Sequence, residues 1–170
     1  MSRPFQFKLP RYDGEEGNCL TPQQRVAVNL DSAIFSGVPG TGKTTVAIWR
    51  IKNGKDNILF TYTRLLSAAI SAISKNSSGI WGAHSWYWNK CGGSFLEDDI
   101  KNGSVETTLN SHNIRLGNVI VDEGQDLDMA FFKALVGISN RVSVGADDAQ
   151  QLYKVDTTMN SLQNTLQHDK

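Results

Sequence analysis

Cysteine, net charge and long apolar runs are all scarce in this chain, and each scarcity removes a class of protein. Cys19 and Cys91 are the two cysteines. They are isolated and lack metal-like spacing, so they read as free thiols in a reducing compartment. The 17 basic and 17 acidic side chains cancel. That balance argues against a strongly electrostatic nucleic-acid binder, while leaving room for a local basic stripe. No apolar run approaches membrane-spanning length, and the opening "MSRPFQFKLP" lacks the apolar stretch of a secretory signal. The expectation is a cytoplasmic protein without a membrane partner. What is present is enough for one globular domain: 170 residues, 39% apolar and 20% charged.

Short apolar runs alternate with helix-like patterns. "SAIFSG" (32–37), "NILFTY" (57–62), "GIWGA" (79–83), "NVIVD" (118–122) and "RVSVGA" (141–146) are rich in β-branched or aromatic residues and predict strands. Between them, "LLSAAISAI" (65–73) places Leu66, Ala69, Ile70 and Ile73 on one helical face, with Ser67, Ser71 and Ser74 opposite. Thr21 is a helix N-cap before Pro22, and Asp128 caps "MAFFKALVGI" in the same way. Strand and helix in alternation require crossovers, hence a mostly parallel sheet of about five strands covered on both faces. Residues 1–19 form an N-terminal extension, residues 20–170 the domain, and 92–115 a polar, irregular insertion.

The stretch "GVPGTGKT" (37–44) fits the pattern G-x-x-x-x-G-K-[ST]. At average composition such a match in a chain of this length is roughly a one-in-two-hundred accident. It also follows a strand-like run and opens a helix-like one, the context a phosphate-binding loop requires. Glycines at 37, 40 and 42 let the backbone of Gly37, Val38, Pro39, Gly40, Thr41 and Gly42 wrap tightly, so that successive N–H groups face phosphate oxygens. The helix that starts near Lys43, Thr44 and Thr45 adds its positive end. Lys43 is expected to be an exposed cation for the β- and γ-phosphates, and Thr44 a hydroxyl ligand to Mg²⁺.

"VIVDEGQDLD" (119–128) then acquires a meaning. A buried strand that ends in two carboxylates usually ends in a solvated loop. Downstream of a phosphate-binding loop, Asp122 sits where it can reach Mg²⁺ and Glu123 where it can orient and deprotonate an attacking water. Together they predict a nucleotide triphosphatase site with ATP and Mg²⁺ as ligands.

These two motifs resemble motifs I and II of superfamily 1 helicases of the UvrD/Rep kind, whose motif II reads DExQD. Four further stretches follow in the family's order. "LTPQQRVAV" (20–28) resembles the Q motif and implies that Gln24 pairs with adenine. "FTYTRLLSA" (60–68) resembles motif Ia, which lines a single-strand path. "GAHSWYW" (82–88) resembles the TxHSF segment. "GADDAQQLY" (145–153) resembles motif III and implies that Gln150 senses the γ-phosphate. The resemblance implies a RecA-like domain, with the "RVSVGA" strand between the strand before the phosphate loop and the "NVIVD" strand. It further implies a DNA surface on Tyr62, Thr63, Arg64, His84, Ser85 and Trp86, and catalytic roles for Lys43, Glu123 and Gln150. Of Trp81, Trp86, Tyr87 and Trp88, at least half are expected in the core. Asp147 and Asp148 read as turn caps, and His112 and His168 as surface residues.

The chain also departs from the family. The helical subdomain usual before motif II is reduced to residues 92–115. Motif III continues as "YKVDT" rather than into a DNA-stacking aromatic, and Ala146 stands where the family has glycine. The second motor domain, with its arginines, has no counterpart up to Lys170. The expectation is therefore a first motor domain that binds ATP·Mg, binds single-stranded DNA weakly, and needs a second RecA-like domain for full hydrolysis. Alternatives are a helicase-like module that holds nucleotide or a protein partner without turnover, and a small kinase, for which no acceptor site or lid arginines are visible.

Overall fold

The computed structural model describes residues 9–13, 19–54, 56–74, 79–93, 102–147, 149 and 157–168. Within them, five strands form one sheet: β1 (Ile34–Ser36), β2 (Asn57–Thr61), β3 (Ile80–Gly82), β4 (Leu116–Val121) and β5 (Ser139–Ala146). Their spatial order is β1-β5-β4-β2-β3, and every pairing is parallel. The helices are α1 (Pro22–Asn29), α2 (Lys43–Asn53), α3 (Arg64–Ser74), α4 (Ala83–Cys91), α5 (Ser104–Ser111), α6 (Met129–Ile138) and α7 (Met159–His168). This is the α/β architecture the alternation predicts, and β5 does lie between β1 and β4. No helix among the described residues is long and apolar enough to cross a membrane.

Alternation along each strand divides the core in two. Val119 and Val121 of β4 join Phe60, Trp86, Phe131, Phe132 and Leu135 on the face covered by α4 to α7. Ile120, between them, points the other way and packs with Leu59, Ile48 and Ile70 under α1 to α3. A parallel strand buried on both faces must be apolar at nearly every position, and this is why the runs are continuous rather than alternating. The chain steps from β1 across to β2 and β3, then returns to insert β4 and β5. The connections from β1 and β4 therefore leave the sheet on opposite faces and open a crevice at its carboxyl edge.

The capping expectations hold. Thr21 and Gln24 form a reciprocal capping box on α1, and Asp128 accepts the Ala130 N–H. Two expectations fail. The insertion 92–115 is not irregular throughout, because α5 occupies Ser104–Ser111 and buries Val105 and Leu109. Two apolar residues one turn apart suffice for so short a helix, and its polar remainder hides the pattern. On α3, Ile70 is buried and Leu66 and Ile73 pack partly against the core as expected, but Ser67 and Ser74, expected on the opposite side, are buried as well. Both serine hydroxyls bond back to carbonyls of their own helix, Ser67 to Arg64 and Ser74 to Ser71, which makes their burial inexpensive.

Candidate functional site

The loop 37–44 joins β1 to α2 at the carboxyl edge. Gly40 and Gly42 have φ of 82° and 88°, a region that strains any residue with a Cβ. A Cβ on Gly42 would also lie 2.5 Å from Gln24 Nε2. Thr41 closes the turn, since its N–H and its hydroxyl both donate to Val38 O, at 3.2 and 2.9 Å. Val38, Pro39, Gly40 and Thr41 form an exposed rim. The N-cap residue of α2 is Gly42, which has no side chain to cap it. The N-terminus of a helix, with its N–H groups and dipole, is a favourable place for an anion.

Lys43 is not the exposed cation the motif suggests. It is 8% exposed. Its Nζ donates to Gly37 O at 2.7 Å and stands 3.7 Å from Asp147 Oδ2. The lysine is therefore folded back over its own loop, which satisfies the ammonium group and fixes the loop's curvature. Thr45, behind it, is buried.

Asp122 follows β4 directly, with its N–H donating to Phe60 O at 2.9 Å. It is wholly buried, and neither carboxylate oxygen has a well-formed hydrogen bond among the described residues. Burial pushes its carboxyl up to about 6, and the Glu123 charge adds to this. The Thr44 hydroxyl, Lys43 and the Glu123 N–H lie close enough to favour the charged form, without overcoming the burial. A buried carboxylate with both oxygens unsatisfied suits a cation that is to be bound there. The donor set fits Mg²⁺: one carboxylate and one hydroxyl, with other positions left to phosphate and water. No group of three His, Cys, Asp or Glu among the described residues would hold a softer metal.

The turn after Asp122 is strained. Glu123 has φ 57°, unusual for a residue with a side chain. Gly124 has no alternative, because a Cβ there would stand 2.4 Å from Val144 Cγ1. The chain then enters a short 3₁₀ turn, Gly124–Asp126. Gln125 Nε2 donates to Glu123 Oε2 at 2.7 Å, and Gln125 Oε1 accepts the Asp147 N–H at 3.0 Å. With the Asp147–Lys43 pair, this joins Glu123, Gln125, Asp147 and Lys43 in one polar chain. Asp147 caps its turn as expected, accepting the Ala149 N–H, but its second oxygen faces the lysine. Neither Gln125 nor Asp147 stood out as a site residue in the sequence. The available signal was a glutamine within the turn after the strand, where one amide can donate to one motif and accept from another.

Gln24 lies beside the loop, and its amide is engaged at both ends. Oε1 accepts the Thr21 N–H at 2.9 Å and Nε2 donates to Thr41 O at 2.9 Å. It therefore ties α1 to the loop 37–44. A cavity of about 410 Å³ opens next to Lys43, Thr44 and Glu123, with Leu66, Ala69 and Ile73 of α3 as its apolar wall. This is where the apolar face of α3 points.

The residues expected at a DNA surface separate into two groups. The Tyr62 and His84 rings meet edge to face at 5.7 Å, and Arg64 Nε donates to Ser85 Oγ at 2.6 Å, all beyond the ends of β2 and β3. Partial burial lowers the His84 pKa. The Thr63 hydroxyl accepts the Leu66 N–H and so caps α3. Trp86, by contrast, is 1% exposed and packs edge to face on Phe60 and Phe131. It is a core residue, corrected from the expectation. Gln150 and Asp148 lie outside the described residues. In comparison with known proteins, no family model and no curated protein matches the chain.

Proposed function

We propose that this domain binds ATP·Mg at the carboxyl edge of its sheet and hydrolyses it slowly, as the first motor domain of a superfamily 1 helicase-like protein acting on single-stranded DNA. The observation that carries the reading is Asp122, buried with no well-formed hydrogen bond to either oxygen among the described residues, close to Thr44 at the start of α2. Backbone N–H groups of the loop and α2 would hold the phosphates, and Lys43 would swing from Gly37 O and Asp147 onto them. Asp122 and Thr44 would hold Mg²⁺, which supplies charge neutralisation of the phosphates when bound. Glu123 would orient and deprotonate the attacking water, held through Gln125 until then.

Rate is a separate matter from binding. Arginine fingers in phosphoryl transfer contribute about 10³ to 10⁵ in rate, or ~4 to 7 kcal/mol. Of Arg64, Arg115 and Arg141, only Arg64 stands at the carboxyl edge. Arg115 immediately precedes β4, and Arg141 near the start of β5 pairs with Asp31. Arg64 is itself engaged with Ser85. Slow hydrolysis by the 170-residue chain, rising when a second RecA-like domain is added, is the expected outcome. Turnover of several ATP per second by the chain alone would contradict it. A second reading, a module that holds nucleotide without turnover, draws on the strained Glu123 held by Gln125. Hydrolysis stimulated by single-stranded DNA separates the two.

A further inference from the structure

We infer that Gln24 is a positioning residue of the loop 37–44, and that its effect on nucleotide binding is the same whatever base the nucleotide carries. The inference rests on the nucleotide reading above and departs from the base-reading role that the Q-motif resemblance implies. Gln24 is the third residue of α1, and its amide is held at both ends. Oε1 accepts the Thr21 N–H at 2.9 Å within the capping box, which keeps the side chain at the helix N-terminus. Nε2 donates to Thr41 O, 17 positions along the chain, at 2.9 Å. The amide also lies close against the next residue, since a Cβ on Gly42 would stand 2.5 Å from that nitrogen.

The bond to Thr41 O decides where one peptide of the loop points. Thr41 is fixed on its other side as well, because its N–H and its hydroxyl both donate to Val38 O. The peptide that joins Thr41 to Gly42 is planar and trans, so its C=O and its N–H point in opposite directions. Holding Thr41 O towards α1 therefore turns the Gly42 N–H away from α1. Gly42 is also the N-cap of α2, with φ of 88°. An N–H oriented before a ligand arrives does not have to be ordered by it, and that raises affinity. Phosphate is common to every nucleoside triphosphate, so this contribution does not depend on the base. Pairing with an adenine edge would draw one donor and one acceptor from an amide that already commits one of each to Thr41 and Thr21.

The test is calorimetric titration of the Mg²⁺ complexes of ATP, GTP and inorganic tripolyphosphate into the intact chain, wild type, Gln24→Met and Thr21→Ala. Circular dichroism at the titration temperature checks that each is folded. Methionine keeps the bulk beside Gly42 and removes both amide bonds. Thr21→Ala removes the hydroxyl that caps α1 and leaves the bond from Gln24 to Thr41 in place. Gln24→Met is expected to weaken all three ligands by one common factor of about five, the loss of one neutral hydrogen bond. Thr21→Ala should bind all three as wild type does, although it unfolds at a lower temperature. A loss confined to ATP overturns the inference and returns Gln24 to reading the base. Unchanged affinity for all three in Gln24→Met, or an equal loss in Thr21→Ala, also overturns it, since the amide would then serve the helix alone. A wild type that binds none of the three ligands removes the nucleotide reading itself.

Discussion

The two ends of the sheet bury polar groups in opposite ways. At the amino-terminal end, Arg50 of α2 donates to the carbonyls of Ala27, Val28, Leu30 and Asp31 and to Ser143 Oγ, filling the gap between α1, β1 and β5. Asn57 and Asn118 bond each other nearby, beside a cavity of about 210 Å³. At the carboxyl end, neither Asp122 oxygen has a well-formed hydrogen bond among the described residues, and Glu123 sits in a strained conformation. Among the described residues, the buried side-chain polar atoms without a partner are the two Asp122 oxygens and Arg50 Nε. Arg50 thus lacks one partner of many, and Asp122 lacks both. A satisfied network of that kind secures loops to helices. An unsatisfied carboxylate lowers stability, and it is retained where something else is to bind.

The comparison breaks most visibly at Lys43. Lys43→Ala should lower ATP·Mg affinity about 100-fold, the loss of charge-assisted bonds to phosphate, while leaving the fold intact. Calorimetry checks the first part and circular dichroism the second. At the other end, Arg50→Ala should lower unfolding free energy by about 3 kcal/mol, because several buried carbonyls lose their donor together. Urea denaturation measures it, and the nucleotide affinity of the folded protein should not change. Nucleotide affinity falling with Arg50→Ala would erase the distinction between the two ends.

Asp122→Asn sharpens the contrast, because it should stabilise the nucleotide-free chain. Burial raises the Asp122 pKa to about 6 in the folded state. The charged form is therefore disfavoured by folding, and that penalty is fully present above pH 6. It fades as pH falls from 6 towards the ordinary carboxylate range, where the folded protein takes up its proton first. The variant should exceed wild type by about 1 to 3 kcal/mol at pH 7, with the gap about halved near pH 5 and nearly closed below about pH 4. Thermal unfolding of both across that range tests the sign. The smallest expected effect is at Asp147. Asp147→Asn removes the carboxylate that competes with nucleotide for Lys43, so ATP affinity should tighten about two- to fivefold. Weaker binding would mean that Asp147 positions Lys43 rather than competing for it.

Much of this arrangement was legible in the residues. The strands are short apolar runs bounded by breakers, and the loop 37–44 and Asp122–Glu123 follow two of them. Strand order required the family resemblance, because runs of this kind do not state their neighbours. Burial of polar groups was harder to read. Lys43 is shielded by an aspartate more than a hundred residues away, and Arg50 binds carbonyls whose positions depend on how α1 packs. Ser67 and Ser74 are buried on either side of Ile70, with hydroxyls bonded within their own helix, and apolar periodicity does not report that. Trp86 and Trp88 differ only in the side of α4 they occupy, and that follows from where Phe60 and Phe131 stand.

The central claim is that the unsatisfied carboxylate at the carboxyl edge belongs to a metal–nucleotide site. Its most direct test is calorimetric titration of ATP into wild type and Asp122→Asn, each with and without Mg²⁺. The account predicts that wild type binds ATP far better with Mg²⁺, and that Asp122→Asn, equally folded, loses most of that dependence on the metal. Equal dependence on Mg²⁺ in both proteins, or no binding by wild type, would contradict it.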